Sequence, residues 1–263
     1  MITVTDARGK TFQWETPPTR LVSLVPSTTE TLFELGVWDK VVGITRYCVH
    51  PVSALTEKTI VGGTKQCNMN KLIALQPDFV LCNQEENTPE IVQAIEDLGI
   101  DVYVAFPKTH EDALVDLQNL GCVFGREDRV NKWTETFTAT QPALDSTPFT
   151  YIYLIWRKPW MGVGKDTFID RQLQMIGGQN TLADSPDRYI TLEPKDLQRP
   201  DTHILLSSEP YPFENKHLDE LMELGVDRTR IHFINGEYCS WHGVRMIESI
   251  QYLRRWKEQQ LSQ

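Results

Sequence analysis

The sequence repeats one short pattern in its two halves. In the first half, Leu75-Gln76-Pro77-Asp78 precedes an apolar run, and a predicted helix then ends at Leu98-Gly99-Ile100-Asp101. In the second half, Gln198-Arg199-Pro200-Asp201 precedes an apolar run, and a predicted helix ends at Leu224-Gly225-Val226-Asp227. Such turn residues are common between the strands and helices of any α/β protein. Because two elements recur in the same order, however, the repeat favours two lobes of similar build.

Short apolar runs alternate with capped helical segments in both halves, which predicts α/β lobes built on parallel sheets. In the first half, Ser27 and Glu30 match a capping box, and Gly121 is expected to end the last helix. The elements predicted there are a hairpin (Ile2–Thr5, Thr11–Trp14), strands Leu21–Val25, Val41–Ile44, Phe79–Cys82 and Asp101–Ala105, and helices Ser27–Leu35, Met69–Leu75, Pro89–Leu98 and Glu111–Leu120. Those predicted in the second half are strands Phe149–Ile155, Thr202–Leu206 and Ile231–Ile234, and helices Thr167–Ile176, Leu218–Leu224 and Val244–Gln259.

The segment between the two series, Arg126–Leu144, has apolar residues at helical spacing and no glycine, and its first proline is Pro142. It is predicted to be one long helix rather than a flexible linker. The predicted fold is therefore α/β: two parallel-sheet lobes joined by a single long bridging helix, with a ligand cleft between the lobes. The predicted boundaries are 1–125 for the first lobe, 126–145 for the helix and 146–263 for the second lobe.

Composition excludes several classes of protein. The 263 residues are 40% hydrophobic, which argues against disorder, and the formal net charge of −10 argues against a nucleic-acid partner. The five cysteines include no CxxC pair, so neither a disulfide framework nor a structural zinc site is expected. Residues 1–15 are polar and do not match a signal peptide, so we expect either a cytoplasmic protein or one whose leader was removed. We expect a monomer.

Motifs of the common enzyme classes do not occur in the sequence. It has no GxSxG, HExxH, Walker A or GxGxxG pattern. Gly162-Val163-Gly164-Lys165 lacks the remaining glycine spacing of a phosphate loop and is interpreted as a turn. A non-enzymatic protein is therefore predicted; if the scaffold were catalytic, Cys48 is the nucleophile that we would test.

Two stretches carry a family resemblance. The first is Arg20–Glu30, with the sequence RLVSLVPSTTE, at the first predicted strand–helix step. The second extends from Val61-Gly62-Gly63-Thr64 to Leu72–Val80, with the sequence LIALQPDFV. With these, nearly the whole chain resembles the substrate-binding proteins of ABC importers for vitamin B12, haem and ferric siderophores, and especially the B12-binding branch. Members of this family are periplasmic or lipid-anchored.

The resemblance implies a non-enzymatic binding protein of an ABC-type uptake system, with an ABC permease as a partner. It implies no covalently bound cofactor and a small-molecule metal chelate as ligand, in the first place a corrinoid. A tyrosine at the position of Tyr47 lines the cleft of the B12-binding relatives. The alternative is a cytoplasmic metal, ferric-siderophore or haem receptor without a dedicated permease. The sequence alone does not choose between these ligands.

Aromatic and charged residues follow several predicted strands, where ligands of α/β proteins bind. Trp156 and Trp160 flank Arg157, which predicts a platform for a flat or amphipathic ligand. The candidate ligand-binding residues are Arg46, Tyr47, Glu86, Trp156, Arg157, Trp160, Glu209, Tyr211, Trp241 and His242. A sharper alternative is direct coordination of a metal ion by Cys48, His50 and His242, since imidazole and thiolate are common metal ligands.

Overall fold

The computed structural model describes residues 1–140 and 147–261. Contacts divide the chain into two compact units. The first comprises Met1–Thr136 together with His242–Ile247, and the second comprises Phe137–Trp241 together with Glu248–Gln263. The sequence predicts that all residues from 146 onward belong to the second lobe, whereas His242–Ile247 packs with the first unit.

The first unit has a hairpin, a parallel sheet and flanking helices. Its strands are β1 (Ile2–Thr5), β2 (Thr11–Trp14), β3 (Leu21–Ser23), β4 (Val41–Ile44), β5 (Thr59–Ile60), β6 (Phe79–Asn83) and β7 (Asp101–Ala105). Its helices are α1 (Pro26–Glu34), α2 (Ala54–Glu57), α3 (Met69–Ala74), α4 (Pro89–Glu96), α5 (His110–Phe124) and the greater part of α6 (Glu127–Thr140), with a 3₁₀ turn at Trp38–Lys40.

The sheet of the first unit is parallel throughout, in the order β5-β4-β3-β6-β7. Strands β3 and β6 are completely buried, and Val22, Val80 and Val102 share an apolar cluster with Leu72 of α3. Parallel strands covered on both faces are expected to be such continuous apolar runs. All carboxyl ends of these strands therefore lie at one edge of the sheet.

The second unit has a six-stranded mixed sheet. Its strands are β8 (Phe149–Trp156), β9 (Trp160–Val163), β10 (Gly178–Asn180), β11 (Tyr189–Leu192), β12 (Thr202–Ser207) and β13 (Ile231–Ile234). Its helices are α7 (Phe168–Gln174), α8 (Pro194–Leu197), α9 (Asn215–Glu223), α10 (Glu237–Ser240) and most of α11 (Met246–Leu261), with a 3₁₀ turn at Arg228–Arg230; a further 3₁₀ turn, Gly243–Arg245, precedes α11 in the first unit.

The sheet of the second unit has the order β11-β9-β8-β12-β13, with β10 also paired to β8. Strands β8, β12 and β13 pair in parallel, as predicted, and β10, which was not predicted, is also parallel to β8. Strands β9 and β11 are antiparallel and were not predicted. Because β8 and β9 are joined by only three residues, the segment Trp156–Trp160 is a tight hairpin connection rather than an open loop.

Two predicted helix ends are wrong. The residue that precedes α1 is Val25, and no side chain caps it, so Ser27 and Glu30 do not form a capping box. Gly121 lies inside α5, which continues to Phe124 and ends at Gly125 with a φ of 62°. A Cβ at position 121 would lie 2.9 Å from Cγ2 of Val130, so this glycine permits close packing of α5 against α6.

The predicted bridging helix is present as α6, over Glu127–Thr140. Residues 141–144 of the prediction lie outside the described part of the chain. Of the helices in 1–140 and 147–261, none is both long and apolar enough to cross a bilayer.

Candidate functional site

The loops after β4, β5 and β6 leave the carboxyl edge of the first unit's sheet as neighbours. The loop after β4 carries Arg46 and Tyr47, both exposed, with 54% of Tyr47 accessible. The Tyr47 ring lies over Gly63 of the next loop, since a Cβ at Gly63 would come within 3.2 Å of Tyr47 Cε2. Within the described residues, neither the Tyr47 hydroxyl nor the Arg46 guanidinium has a hydrogen-bond or ion-pair partner. Both groups are therefore available to a ligand.

The loop after β6 is fixed by Asn87, a buried residue that the sequence analysis missed. Its Nδ2 donates to the carbonyl oxygens of Thr64 at 2.9 Å and Leu24 at 3.3 Å, and its Oδ1 accepts from the Asn83 backbone N–H at 2.8 Å. Lys65 Nζ also donates to the Glu85 carbonyl oxygen. A buried amide with all these bonds holds the loops after β5 and β6 in one geometry. The sequence signal was Asn83-x-x-x-Asn87, directly after a strand.

Cys48 follows Tyr47 in the loop after β4 and is completely buried. Thr29 Oγ1 donates to its sulfur at 3.0 Å, and Thr45 Oγ1 lies 3.2 Å from the same atom. Burial is the main cause that raises the pKa of the Cys48 thiol, and the negative charge of half-buried Glu86 adds to it. A thiol in this state is a poor nucleophile and a poor metal ligand.

His242 is buried in the first unit beside the carboxyl end of β6. Its Nε2 lies 3.3 Å from Asn83 Nδ2 and 3.3 Å from Ser27 Oγ. Asn83 Oδ1 accepts from the Glu85 backbone N–H, which leaves the Asn83 Nδ2 group to donate to the imidazole. Nε2 is therefore an acceptor, and the ring is neutral with its proton on Nδ1. Burial lowers the pKa of His242 to about 4.

The residues that follow His242 are attached to α1 by further polar contacts. The Val244 N–H donates to Thr31 Oγ1 at 3.1 Å. Arg245 forms a bidentate ion pair with Glu30, in which Nε donates to Oε2 at 2.8 Å and Nη2 donates to Oε1 at 2.5 Å. Gly243 has a φ of 81°, and a Cβ there would lie 2.4 Å from Thr31 Oγ1. These contacts explain why His242–Ile247 packs with the first unit.

The metal set suggested by the sequence is not supported by these positions. In residues 1–140 and 147–261, no group of three or more His, Cys, Asp or Glu side chains could hold a metal ion. Cys48 is enclosed by two threonines, and the Nε2 lone pair of His242 faces Asn83 and Ser27. His50 is half-buried on the loop after β4. Direct coordination by Cys48, His50 and His242 is therefore not proposed.

In the second unit, aromatic side chains gather at the carboxyl ends of β8 and β12. Trp156 is the last residue of β8, and 44% of its surface is exposed. Its ring meets the half-buried Tyr211 ring edge to face, with centroids 5.3 Å apart. Tyr211 also packs against Phe213, at 4.9 Å between centroids. An exposed tryptophan supported by a ring from a second segment is a surface on which a flat ligand can lie.

Trp160 does not belong to that surface. As the first residue of β9 it points into the core, is 5% exposed, and stacks on Phe213 at 6.0 Å and 9°. The Arg157 guanidinium lies 4.3 Å from its ring centroid, and Arg157 Nε donates to Glu220 at 2.5 Å. The predicted platform of two tryptophans is therefore wrong: Trp156 is accessible, while Trp160 and Arg157 stabilise the hairpin beneath it.

Two further candidates of the second unit are largely engaged within the protein. Glu209 is half-buried, and its Oε1 accepts from Ser240 Oγ at 2.5 Å. Trp241 directly follows α10 and is only 6% exposed. Lys158, in the hairpin connection, is exposed and has no polar partner among the described residues.

Comparison with known proteins assigns the fold. The profile of the periplasmic binding protein family matches residues 21–223, which is most of the chain. The chain belongs to the periplasmic binding protein family. The predicted α/β fold and the predicted family are both confirmed.

Two curated proteins are similar to this chain in sequence, and one solved structure is similar to it in fold. The vitamin B12-binding protein of Vibrio cholerae is 23% identical over 246 residues, which is 89% of this chain and 87% of the relative. An uncharacterised ABC transporter substrate-binding lipoprotein of Bacillus subtilis, YvrC, is 23% identical over 267 residues, covering 96% and 84%. The apo structure of the periplasmic haem-binding protein RhuT from Roseiflexus sp. RS-1 superimposes with a TM-score of 0.76 at 19% identity, covering 90% of this chain and 96% of that one.

Proposed function

We propose that this chain is the non-enzymatic substrate-binding protein of an ABC-type uptake system and that its ligand is a corrinoid of the vitamin B12 type. Support comes from the family match and from the vitamin B12-binding relative, which covers nearly all of the chain. The site residues we propose are those whose groups remain available: Arg46 and Tyr47 in the first unit, and Trp156 and Tyr211 in the second.

The observation that carries the proposal is the exposed aromatic surface of Trp156 and Tyr211. The Trp156 indole is 44% accessible at the carboxyl edge of a sheet. A flat apolar ligand that covers it removes apolar surface from water, which favours binding. A second observation is the Arg46–Tyr47 pair, a cation and a hydroxyl with no described partner on the protein. These polar groups would orient a ligand that carries amide, phosphate or carboxylate groups.

Haem and ferric siderophores are the competing ligands. Because one structural neighbour binds haem and the family resemblance includes ferric siderophores, both ligand classes are included in the binding test. All three classes carry their own metal, which agrees with the lack of a metal-holding group in the described part of the chain. We therefore propose that the protein binds the organic part of the chelate rather than the ion.

Binding is tested by titrating the protein with cyanocobalamin, dicyanocobinamide, haemin and a ferric hydroxamate, with tryptophan fluorescence and melting temperature as readouts. We expect cyanocobalamin to quench fluorescence and raise the melting temperature. Trp156→Ala is expected to weaken binding at least about fivefold, because stacking contributes about 1 kcal/mol beyond area burial. Trp133→Ala, a tryptophan on α6, is the matched control. Absence of binding to every member of the panel contradicts the proposal.

The partner is proposed separately. One relative is named as an ABC transporter substrate-binding lipoprotein, and on this basis we propose that the chain delivers its ligand to an ABC permease. Genes for a permease and an ATPase next to its own gene are the expected finding. Purified transporter whose ATPase rate does not respond to the ligand-loaded protein would contradict this part of the proposal.

A further inference from the structure

Tyr211 and His217 form a hydrogen-bonded pair whose direction is set by the backbone. Tyr211 Oη lies 2.9 Å from His217 Nε2. On the other side of the imidazole, the backbone N–H of Glu214 donates to His217 Nδ1 at 2.9 Å. His217 is the third residue of α9 and is buried, so the ring is held between the start of its own helix and the tyrosine.

The two contacts fix the proton positions of the pair. A backbone N–H can only donate, so Nδ1 of His217 is an acceptor and carries no proton. The proton of the neutral ring is then on Nε2, which donates to Tyr211 Oη. The tyrosine hydroxyl is consequently an acceptor towards the histidine, and its own proton points elsewhere.

The hydroxyl proton of Tyr211 has no acceptor among the described residues. The ring is fixed in place by three neighbours, with centroid distances of 5.3 Å to Trp156, 4.9 Å to Phe213 and 5.2 Å to His217. Nearby charged side chains are already engaged: Glu214 pairs with Lys216 at 2.7 Å, and Glu220 pairs with Arg157. A single oriented donor therefore remains beside the exposed face of Trp156.

We propose that His217 is a positioning residue that commits the Tyr211 hydroxyl to donate a hydrogen bond to an acceptor oxygen of the ligand. This inference rests on the proposed function, since it takes Trp156 and Tyr211 as a ligand surface. The chemistry recognised is a carbonyl or carboxylate oxygen next to a flat apolar ring system. Such oxygens occur in the amide side chains of corrinoids, the carboxylates of haem and the carbonyls of hydroxamates, so the ligand arms of the test separate these sources.

Two substitutions of His217 separate the hydrogen bond to Tyr211 from the bond to the backbone. Asn is short, and its Oδ1 can accept from the Glu214 N–H as Nδ1 does, but it does not reach Tyr211. Gln is longer, and its amide nitrogen can replace Nε2 as the donor to Tyr211. A role in helix capping alone would be preserved in His217→Asn, and a role towards Tyr211 would be preserved in His217→Gln.

The experiment measures dissociation constants of the full chain for cyanocobalamin, haemin and a ferric hydroxamate. For the ligand that binds, we expect Tyr211→Phe and His217→Asn each to weaken affinity about three- to tenfold, the effect of one hydrogen bond, and His217→Gln to stay near wild type. The double variant Tyr211→Phe/His217→Asn is expected to bind no more weakly than Tyr211→Phe alone, because both remove the same bond. Urea denaturation of each variant controls for folding.

A second measurement is independent of any ligand. Nitrogen-15 NMR of the imidazole is expected to show His217 as the neutral tautomer protonated on Nε2, and a proton on Nδ1 would overturn the inference. So would Tyr211→Phe binding as wild type while Trp156→Ala is impaired, an outcome that leaves the proposed function intact. If the wild type binds no member of the panel, the proposed function fails and this inference fails with it.

Discussion

The carboxylate of Asp116 on α5 is buried, and only one of its two oxygens is hydrogen-bonded. Its Oδ1 accepts a hydrogen bond from the Tyr103 hydroxyl at 2.6 Å, while its Oδ2 is buried and has no hydrogen-bond partner in the described residues. The side chain borders a cavity of about 20 Å³ within the first unit. Burial is the main cause that raises its pKa to about 7; the Tyr103 bond opposes this, and the charges of Asp112 and Asp6 add to it.

The raised pKa makes stability depend on pH. Above its ordinary pKa of 3.8 the unfolded chain loses this proton, whereas the folded chain keeps it up to about pH 7. Because the folded state then binds more protons, stability falls as pH rises through this window and is level above it. Each pH unit corresponds to about 1.4 kcal/mol, so the interval from pH 5 to 7 removes about 3 kcal/mol.

Asp116→Asn tests this reasoning because the amide cannot ionise and its oxygen can still accept from Tyr103. The assay is urea denaturation of both proteins at pH 5 and pH 8, with tryptophan fluorescence as the measure of unfolding. The free energy of unfolding of the variant minus that of the wild type is expected to increase by about 3 kcal/mol between the two pH values. Glu111→Gln, an exposed carboxylate on the same helix, controls for net charge. A difference that is the same at both pH values would refute the reasoning, whatever its absolute size.

Three further predictions concern the first unit. The pKa of His242 is lowered from 6.5 to about 4, so the folded state binds fewer protons than the unfolded state between these pH values. Stability is therefore lost as pH falls from 6.5 towards 4, by up to about 3 kcal/mol, and a His242→Gln variant with the same acid profile in urea denaturation would contradict this. Arg245→Met removes the ion pair between buried Arg245 and half-buried Glu30 and is expected to cost about 3 kcal/mol. Much of this loss should be recovered in Arg245→Met/Glu30→Gln, and no recovery would show that the pair is not coupled. Iodoacetamide is expected to leave Cys48 unmodified in the native protein, and rapid labelling found by mass spectrometry would contradict its burial.

The sequence predicted the longer parallel strands well because their residues form mostly buried apolar runs, whereas the short parallel strands β5 and β10 were not predicted. Val41–Ile44, Asp101–Ala105 and Ile231–Ile234 have the predicted bounds. The antiparallel strands β9 and β11 were missed, because Gly162–Lys165 was interpreted as a turn and because Tyr189–Leu192 is largely exposed and is not an apolar run. Gly121 was misassigned because a glycine that ends a helix and one that admits a neighbouring helix look alike until the partner residue is known.

The candidate site was predicted at the level of segments but not of individual side chains. Trp156 and Trp160 are equivalent in the sequence, yet a hairpin between them leaves one exposed and buries the other. Which face a strand residue occupies follows from register, and register depends on tertiary pairing. The pair of Tyr211 and His217 was also beyond prediction, because their six-residue separation spans a turn whose shape the sequence does not specify.

The candidate residues differ in whether the protein itself already satisfies their hydrogen-bonding groups. His242 and Glu209 are polar residues near strand ends, but Ser27, Asn83 and Ser240 already engage them. Ligands displace such contacts at a cost, since a buried partner would be left unsatisfied. Arg46, Tyr47 and the hydroxyl proton of Tyr211 have no described partner, so a ligand that contacts any one of them adds a hydrogen bond without breaking one. On this reasoning, affinity should be more sensitive to Arg46→Ala and Tyr211→Phe than to Glu209→Gln, and the reverse order in ligand titrations would contradict it.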